Sequence, residues 1–196
     1  MEILFASSNL HKLGEIRALF EGYSVVCPKE RGITFEAEEN GLDFFDNALI
    51  KARALEKLWH GPVLADDSGI CVDALNGAPG IHSARFGSEG GAKLSDSDRN
   101  ALLLKTVGDN PFRTCRFVCC MVLTLGPGRF LAAQETIEGE LLREPHGTQG
   151  FGYDPLVYIP SFGRSVAELS EEEKNKISHR GKAARRIIEA LRAIED

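Results

Sequence analysis

The sequence predicts a mixed α/β fold, and three observations carry the prediction. Short apolar runs alternate with amphipathic helical stretches through the first half of the chain. In the middle, the strand-like stretches 113–125 and 129–138 flank Gly126-Pro127-Gly128, a hairpin signal that adds an antiparallel portion. Between these regions the apolar run Pro62-Val63-Leu64-Ala65 leads straight into Asp66 and Asp67, the pattern of a buried strand that delivers charge at its C-terminal end.

The elements follow in order. Residues 2–6 read as a strand, then Ser7, Ser8 or Asn9 caps a helix that carries Leu10, Leu13, Ile16, Leu19 and Phe20 at helical spacing. Residues 23–27 form a second strand. A helix from about Asp43 to Trp59 turns Phe45, Leu49, Ala52 and Leu55 inward. The third strand ends in the aspartate pair, for which an exposed Asp-Asp-Ser-Gly turn is the competing reading. After a Gly/Pro-rich segment, Ser95 to Asp98 opens a helix with Leu102, Leu103 and Val107. The two hairpin strands come next, and then a short strand over 155–159 behind a glycine-rich loop. Ser170 to Glu173 forms a capping box for a short helix. A last helix starts near Ser178, with Ala184, Ile187, Ile188, Leu191 and Ile194 on its apolar face.

Composition narrows the functional classes. At 196 residues, with 43% hydrophobic and 27% charged residues, the chain is expected to form one domain (1–196), at most split into two lobes. No apolar run approaches the roughly 18 to 20 residues needed to span a bilayer, and the N-terminus reads as a strand rather than a signal peptide. The cytoplasm is therefore the expected compartment, with no membrane partner. The five cysteines, at positions 27, 71, 115, 119 and 120, lack metal-site spacing and are expected to be reduced, buried thiols.

The formal net charge of −6 argues against nucleic acid as a partner. Charge is nevertheless unevenly placed. Residues 174–186 hold six Lys/Arg side chains and no acid, whereas residues 36–46 hold five acids and no base. A compact polyanion suits such a chain.

Two segments add chemistry. Ser7, Ser8, Asn9 and Lys12 lie at a strand-to-helix turn, where backbone N–H groups and the helix dipole favour an anion. Capping by the same residues is compatible with that role. Ser178-His179-Arg180 again places donors at a helix start. In Gly147-Thr-Gln-Gly-Phe-Gly-Tyr-Asp-Pro155, glycines let the backbone approach a flat ligand, Phe151 or Tyr153 offers a π-face, and Asp154 accepts from a ring N–H. A glycine-rich turn with aromatic core anchors reads the same string without a ligand.

Six strings together resemble the inosine/xanthosine triphosphate pyrophosphatases, the Ham1-like or RdgB-like house-cleaning nucleotidases. They are Ser7-Ser-Asn-x-x-Lys12, Glu38-Glu-Asn-Gly-Leu-Asp-Phe-Phe-Asp-Asn-Ala48, Ala65-Asp-Asp-Ser-Gly69, Gly77-Ala-Pro-Gly-Ile-His-Ser-Ala-Arg85, Gly150-Phe-Gly-Tyr-Asp-Pro155 and Lys174-x-x-x-Ser-His-Arg180. Their order and separations match almost end to end. Ser8 and Gln149 stand where the family usually has glycine.

The resemblance implies an elongated central sheet flanked by helices, with two lobes around a substrate cleft, and a homodimer. It implies hydrolysis of ITP, dITP or XTP to the monophosphate and pyrophosphate, with Mg²⁺ as cofactor. By motif position, Asp67 is the catalytic carboxylate and a metal ligand, and Glu38 is the second ligand, with Glu39 and Asp66 close enough to exchange for them. Ser7, Ser8, Asn9, Lys12, Ser68 and Lys174 would bind the substrate around its phosphates. Phe151, Gly152, Tyr153, Asp154, His179 and Arg180 would bind its base. Asp66 is left as local support.

Overall fold

The computed structural model describes residues 1–88 and 92–195. Seven strands form one mixed sheet in the order β2-β1-β3-β4-β5-β6-β7. They are β1 (Glu2–Phe5), β2 (Ser24–Val26), β3 (Val63–Val72), β4 (Thr114–Thr124), β5 (Phe130–Leu141), β6 (Val157–Ile159) and β7 (Arg164–Ser165). Five helices accompany them: α1 (Leu10–Leu19), α2 (Phe44–Glu56), α3 (Asp96–Val107), α4 (Glu171–Ile177) and α5 (His179–Glu195). β1 pairs in parallel with both β2 and β3, while β5–β6 and β6–β7 are antiparallel. The predicted hairpin joins β4 to β5, closed by Leu125 N–H to Arg129 O at 3.0 Å.

The chain divides into two compact units. The first comprises residues 1–67, 119–135 and 179–196, and the second residues 68–118 and 136–178, so β3, β4 and β5 each contribute residues to both.

In the first unit both faces of the sheet are buried. Ile3, Phe5, Leu64, Cys119, Met121 and Leu123 pack with Leu13 and Ile16 of α1 and with Ala184, Ile187 and Leu191 of α5. On the opposite face Leu4, Ala6, Val63, Ala65 and Val122 pack with Ala48, Ala52 and Leu55 of α2. Side chains alternate along a strand, so two-sided burial requires the near-continuous apolar runs seen here. The second unit has its own core, in which Ile70, Val72, Phe117, Ile137 and Val157 pack with Leu103 and Val107 of α3.

Four expectations change at this level. The third strand does not stop at the aspartates: β3 continues to Val72 and carries Asp66 and Asp67 in its interior, where both are buried. The turn reading fails for the same reason. The buried stripe of α2 runs through Phe44, Asn47, Ala48, Lys51, Ala52 and Leu55, leaving Phe45 and Leu49 only partly covered. At the ends of the outer helices Leu10 is 76% exposed and Ile194 48%. The strand expected over 155–159 begins only at Val157, because Asp154–Leu156 forms a 3₁₀ turn. β7, two residues long, carries too little pattern to be read from sequence.

The cysteines behave as apolar residues. All five are free thiols; Cys71 is half-buried and the other four are buried. Burial pushes Cys115 and Cys120 up to about 12, so both stay protonated. Among the described residues no helix is long and apolar enough to cross a membrane.

Candidate active site

The first unit gathers charge around β3. Alternation sends the two adjacent aspartates to opposite faces of the strand. Asp66 shares the side of Leu64, toward α1 and α5, whereas Asp67 shares the side of Val63 and Ala65, toward α2. The carboxylates therefore hydrogen-bond to different cations.

Asp66 Oδ2 accepts from Lys12 Nζ of α1 at 2.8 Å and from Arg180 of α5, whose Nη2 lies 3.3 Å away. Arg180 Nη1 also donates to Glu15 Oε2 at 2.5 Å. Burial alone would raise the Asp66 pKa, but Lys12, Arg180 and Lys51 outweigh it and hold the carboxyl well below the usual range. Asp66 is a fixed anion inside a cationic bracket.

Asp67 is placed differently. Its Oδ1 accepts from Lys51 Nζ at 3.1 Å, and Asn47 Nδ2 approaches its Oδ2 at 3.4 Å. Lys51 Nζ also lies 3.1 Å from Glu39 Oε2. Here burial exceeds the attraction of Lys51, and the nearby Glu39 adds to it, so the Asp67 pKa is raised. A buried carboxylate with raised proton affinity, next to a lysine and a second acid, suits acceptance of a proton from water.

Asn47 is fully buried and joins this cluster to the acidic loop, because its Oδ1 accepts from Gly41 N–H at 2.9 Å. A Cβ on Gly41 would sit 2.5 Å from that of Asp46, so the tight turn needs glycine. Glu38, the expected second ligand, is exposed; Glu39 is the acid that converges with Asp67 on Lys51. Among the described residues no group of three Asp, Glu, His or Cys side chains gathers as a ligand set. The carboxylates of Asp67 and Glu39 converge on Lys51. Such an all-oxygen donor set fits Mg²⁺, which keeps several waters and leans on substrate phosphates.

At the first turn Asn9 takes the cap of α1, its Oδ1 accepting from His11 N–H at 2.9 Å and Lys12 N–H at 3.2 Å. Ser7 Oγ accepts from Asn9 N–H at 3.1 Å. The only non-glycine residue with positive φ among those described is Asn76, so neither Ser8 nor Gln149 needs a glycine backbone conformation.

The second unit builds the aromatic loop. Gly150 and Gly152 have φ of 76° and 64°, and a Cβ on Gly150 would fall 2.1 Å from Asp154 Oδ2. That oxygen accepts from Phe151 N–H at 2.9 Å and from Lys174 Nζ at 2.7 Å. Lys174 Nζ also stands 4.7 Å from the Phe151 ring centroid. Lys174, expected at the phosphates, belongs to the loop cluster in this structure. Tyr153 is buried, with its OH donating to Ser83 O at 2.9 Å; burial lifts its pKa to about 12 and keeps it a donor. Ser68 follows the aspartate pair on β3 and is half-buried.

His179 and Arg180 open α5 in the first unit, both buried. Arg180, expected to read the base, commits its guanidinium to Glu15 and Asp66.

Sequence reasoning missed Lys51, Asn47 and Glu15. The first two had a signal: polar residues four apart, at helical spacing with Phe44, Ala48 and Leu55, interrupt what becomes the buried stripe of α2. Glu15 carried none, because its partner lies 165 residues further along the chain.

Comparison with known proteins shows the family. The profile of the Ham1 family matches residues 3–190. The chain is similar to a dITP/XTP pyrophosphatase of Treponema denticola, 51% identical over 186 residues that cover 93% of this chain and 94% of that one. It is also similar to a dITP/XTP pyrophosphatase of Exiguobacterium sibiricum, 44% identical over 97% of both chains. Among solved structures, a HAM1 protein from Coxiella burnetii superposes with a TM-score of 0.88 at 38% identity, covering 98% of this chain and 99% of that one.

Proposed function

Because the chain belongs to the Ham1 family, we propose that it hydrolyses noncanonical purine nucleoside triphosphates (dITP, ITP and XTP) to the monophosphate and pyrophosphate. The observation that carries the chemistry is the division of the two aspartates between opposite faces of β3, one locked as an anion and one raised in pKa.

Asp67 orients the attacking water and takes its proton as the water oxygen bonds to phosphorus and the anhydride bond to pyrophosphate breaks. Lys51 holds Asp67 in place as a cation, and the proton that Asp67 has taken passes to bulk water before the next turnover. Asp67, with Glu38 or Glu39, would hold Mg²⁺, which when bound offsets phosphate charge and polarises phosphoryl oxygens. Lys12 spends one of its three donors on Asp66 and offers the others to phosphate, supported by Ser7, Ser8, Asn9 and Ser68.

Phe151 stacks on the purine, and Gly152, Tyr153 and Asp154 shape the loop around it. Lys174, paired with Asp154 and set over Phe151, serves this loop rather than the phosphates. A donor aimed at O6 separates 6-oxo purines from adenine, since a hydrogen-bonding site left unpaired can cost a factor of about 10⁴ to 10⁵. His179 supplies such a donor. Arg180 acts as a positioning residue by fixing Asp66. The proposed compartment is the cytoplasm, and the proposed assembly is a homodimer.

The test measures pyrophosphate and orthophosphate released from dITP, ITP, XTP, ATP and GTP with and without Mg²⁺. Pyrophosphate from the 6-oxo substrates, Mg²⁺ dependence, and a loss of about 10² to 10⁴-fold in Asp67→Asn are expected. Orthophosphate as the product would instead identify another phosphohydrolase. Binding of ITP without turnover would identify a nucleotide sensor. Equal rates on ATP and dITP would remove the base selectivity.

A further inference from the structure

Helix α3 supplies no residue to the expected site, yet one face of it grips the aromatic loop. Asp96, Arg99 and Asn100 lie at helical spacing on that face, and each meets the loop. Gly152 N–H donates to Asp96 Oδ2 at 2.6 Å, and Asn100 Nδ2 donates to Gly152 O at 3.0 Å. The Arg99 guanidinium sits 5.9 Å from the centroid of the Tyr153 ring and is ion-paired with Asp96. Both backbone polar groups of Gly152 are therefore held by one helix.

Two features mark this as more than incidental contact. Gly152 has φ of 64°, and glycine is the residue with most backbone freedom, so a position of the loop free to move is the one clamped. Asn100 is 6% exposed, and its Oδ1 is buried without a hydrogen-bond partner. An unpaired buried acceptor is unfavourable, and the bond from Nδ2 to Gly152 is what offsets it.

Resting on the assignment of Phe151 to the purine, we propose that the Asp96–Asn100 face of α3 is a positioning element for base selection. By fixing Gly152, the helix sets the depth and plane of the neighbouring Phe151 ring, whose own N–H is tied to Asp154. Misplacement of a binding group by about 1 Å can cost up to two orders of magnitude, so a loosened clamp affects selectivity first.

The experiment compares kcat and KM for dITP and dATP in Asn100→Asp, Asp96→Ala, Asp96→Asn and Phe151→Ala. Asn100→Asp keeps the shape but turns a donor toward Gly152 O into an acceptor. It and Asp96→Ala should lower the dITP/dATP ratio of kcat/KM by about tenfold, mostly through KM for dITP, with kcat within about twofold. Asp96→Asn retains an oxygen acceptor and should keep the ratio near that of the parent protein. If dITP and dATP fall by the same factor, the helix only supports the fold and the proposal is overturned. If Phe151→Ala collapses the ratio while Asn100→Asp and Asp96→Ala preserve it, the proposal fails and the base assignment stands. An unchanged ratio in Phe151→Ala removes the base assignment and the proposal with it. Should Asn100→Asp fail to fold, Asp96→Ala, at a more exposed position, decides the question alone.

Discussion

Asp66 and Asp67 have the same chemistry and opposite environments, and a 180° alternation along β3 is the whole cause. Asp66 sits between Lys12 and Arg180 with its side chain almost fully buried, so its charge is part of the folded state. Its folded pKa lies below the unfolded value of about 4. Between those two values the unfolded chain binds the extra proton, so stability falls as pH falls. The contribution is fully present above about pH 5 and is lost progressively as the pH drops toward the lowered folded value. Asp66→Asn should cost roughly 3–5 kcal/mol at pH 7, because it removes a buried carboxylate that Lys12 and the buried Arg180 both face. Urea unfolding at pH 7, 5 and 3 checks this, and the gap between variant and parent should narrow at pH 3. A gap independent of pH would mean that Asp66 is not held as an anion. The sequence showed the acidic pair. It could not show which cation each acid meets, because Lys12 and Arg180 lie 54 and 114 residues from Asp66.

At the scale of elements, β3 combines two tasks: its first half forms the buried parallel centre of the first unit, and its second half belongs to the second unit. The glycine after Ser68 has a spatial reason. A Cβ at Gly69 would lie 2.3 Å from Gly80 O and 2.5 Å from Ser83 Oγ, and Ser83 Oγ accepts the Ile70 N–H at 2.9 Å. The 77–85 segment thus rests directly on the strand backbone. Gly69→Ala must push that segment away and should destabilise the protein by about 1–3 kcal/mol, read as a lower urea midpoint at unchanged slope. Stability equal to the parent protein would show that the contact yields freely. Caps and hairpins were legible because their signals are local: Asn9, Asp43, Ser95 and Ser170 all accept backbone N–H groups at the helix starts. Where elements end was less legible. β3 runs on past two charged residues because their partners come from α1, α2 and α5, which no local window contains.

For the molecule as a whole, charge is the property most easily misread. The chain carries −6 overall, and the run at 174–186 looks like a polyanion-binding stripe. Folding withdraws Lys174, His179 and Arg180 from solvent and pairs Arg186 with Glu135 at 3.1 Å. Lys176, further along the same run, is paired with Glu172 at 2.6 Å. The protein should therefore pass through a heparin column at about 0.15 M salt, and retention there would revive a nucleic-acid role for the run. The sequence by itself determined the class of fold, the places where helices start, the hairpin, the apolar runs of a doubly covered sheet, and the motifs that mark the family. These depend on spacing and on residues a few positions apart. Only the tertiary structure decided that the aspartates face opposite ways, that Lys51 holds Asp67, that Lys174 pairs with Asp154 beside Phe151, and that α3 bonds both backbone polar groups of Gly152. Each of those facts is a meeting of side chains from distant segments, and burial gives such meetings their energetic weight by removing the water that would otherwise screen them.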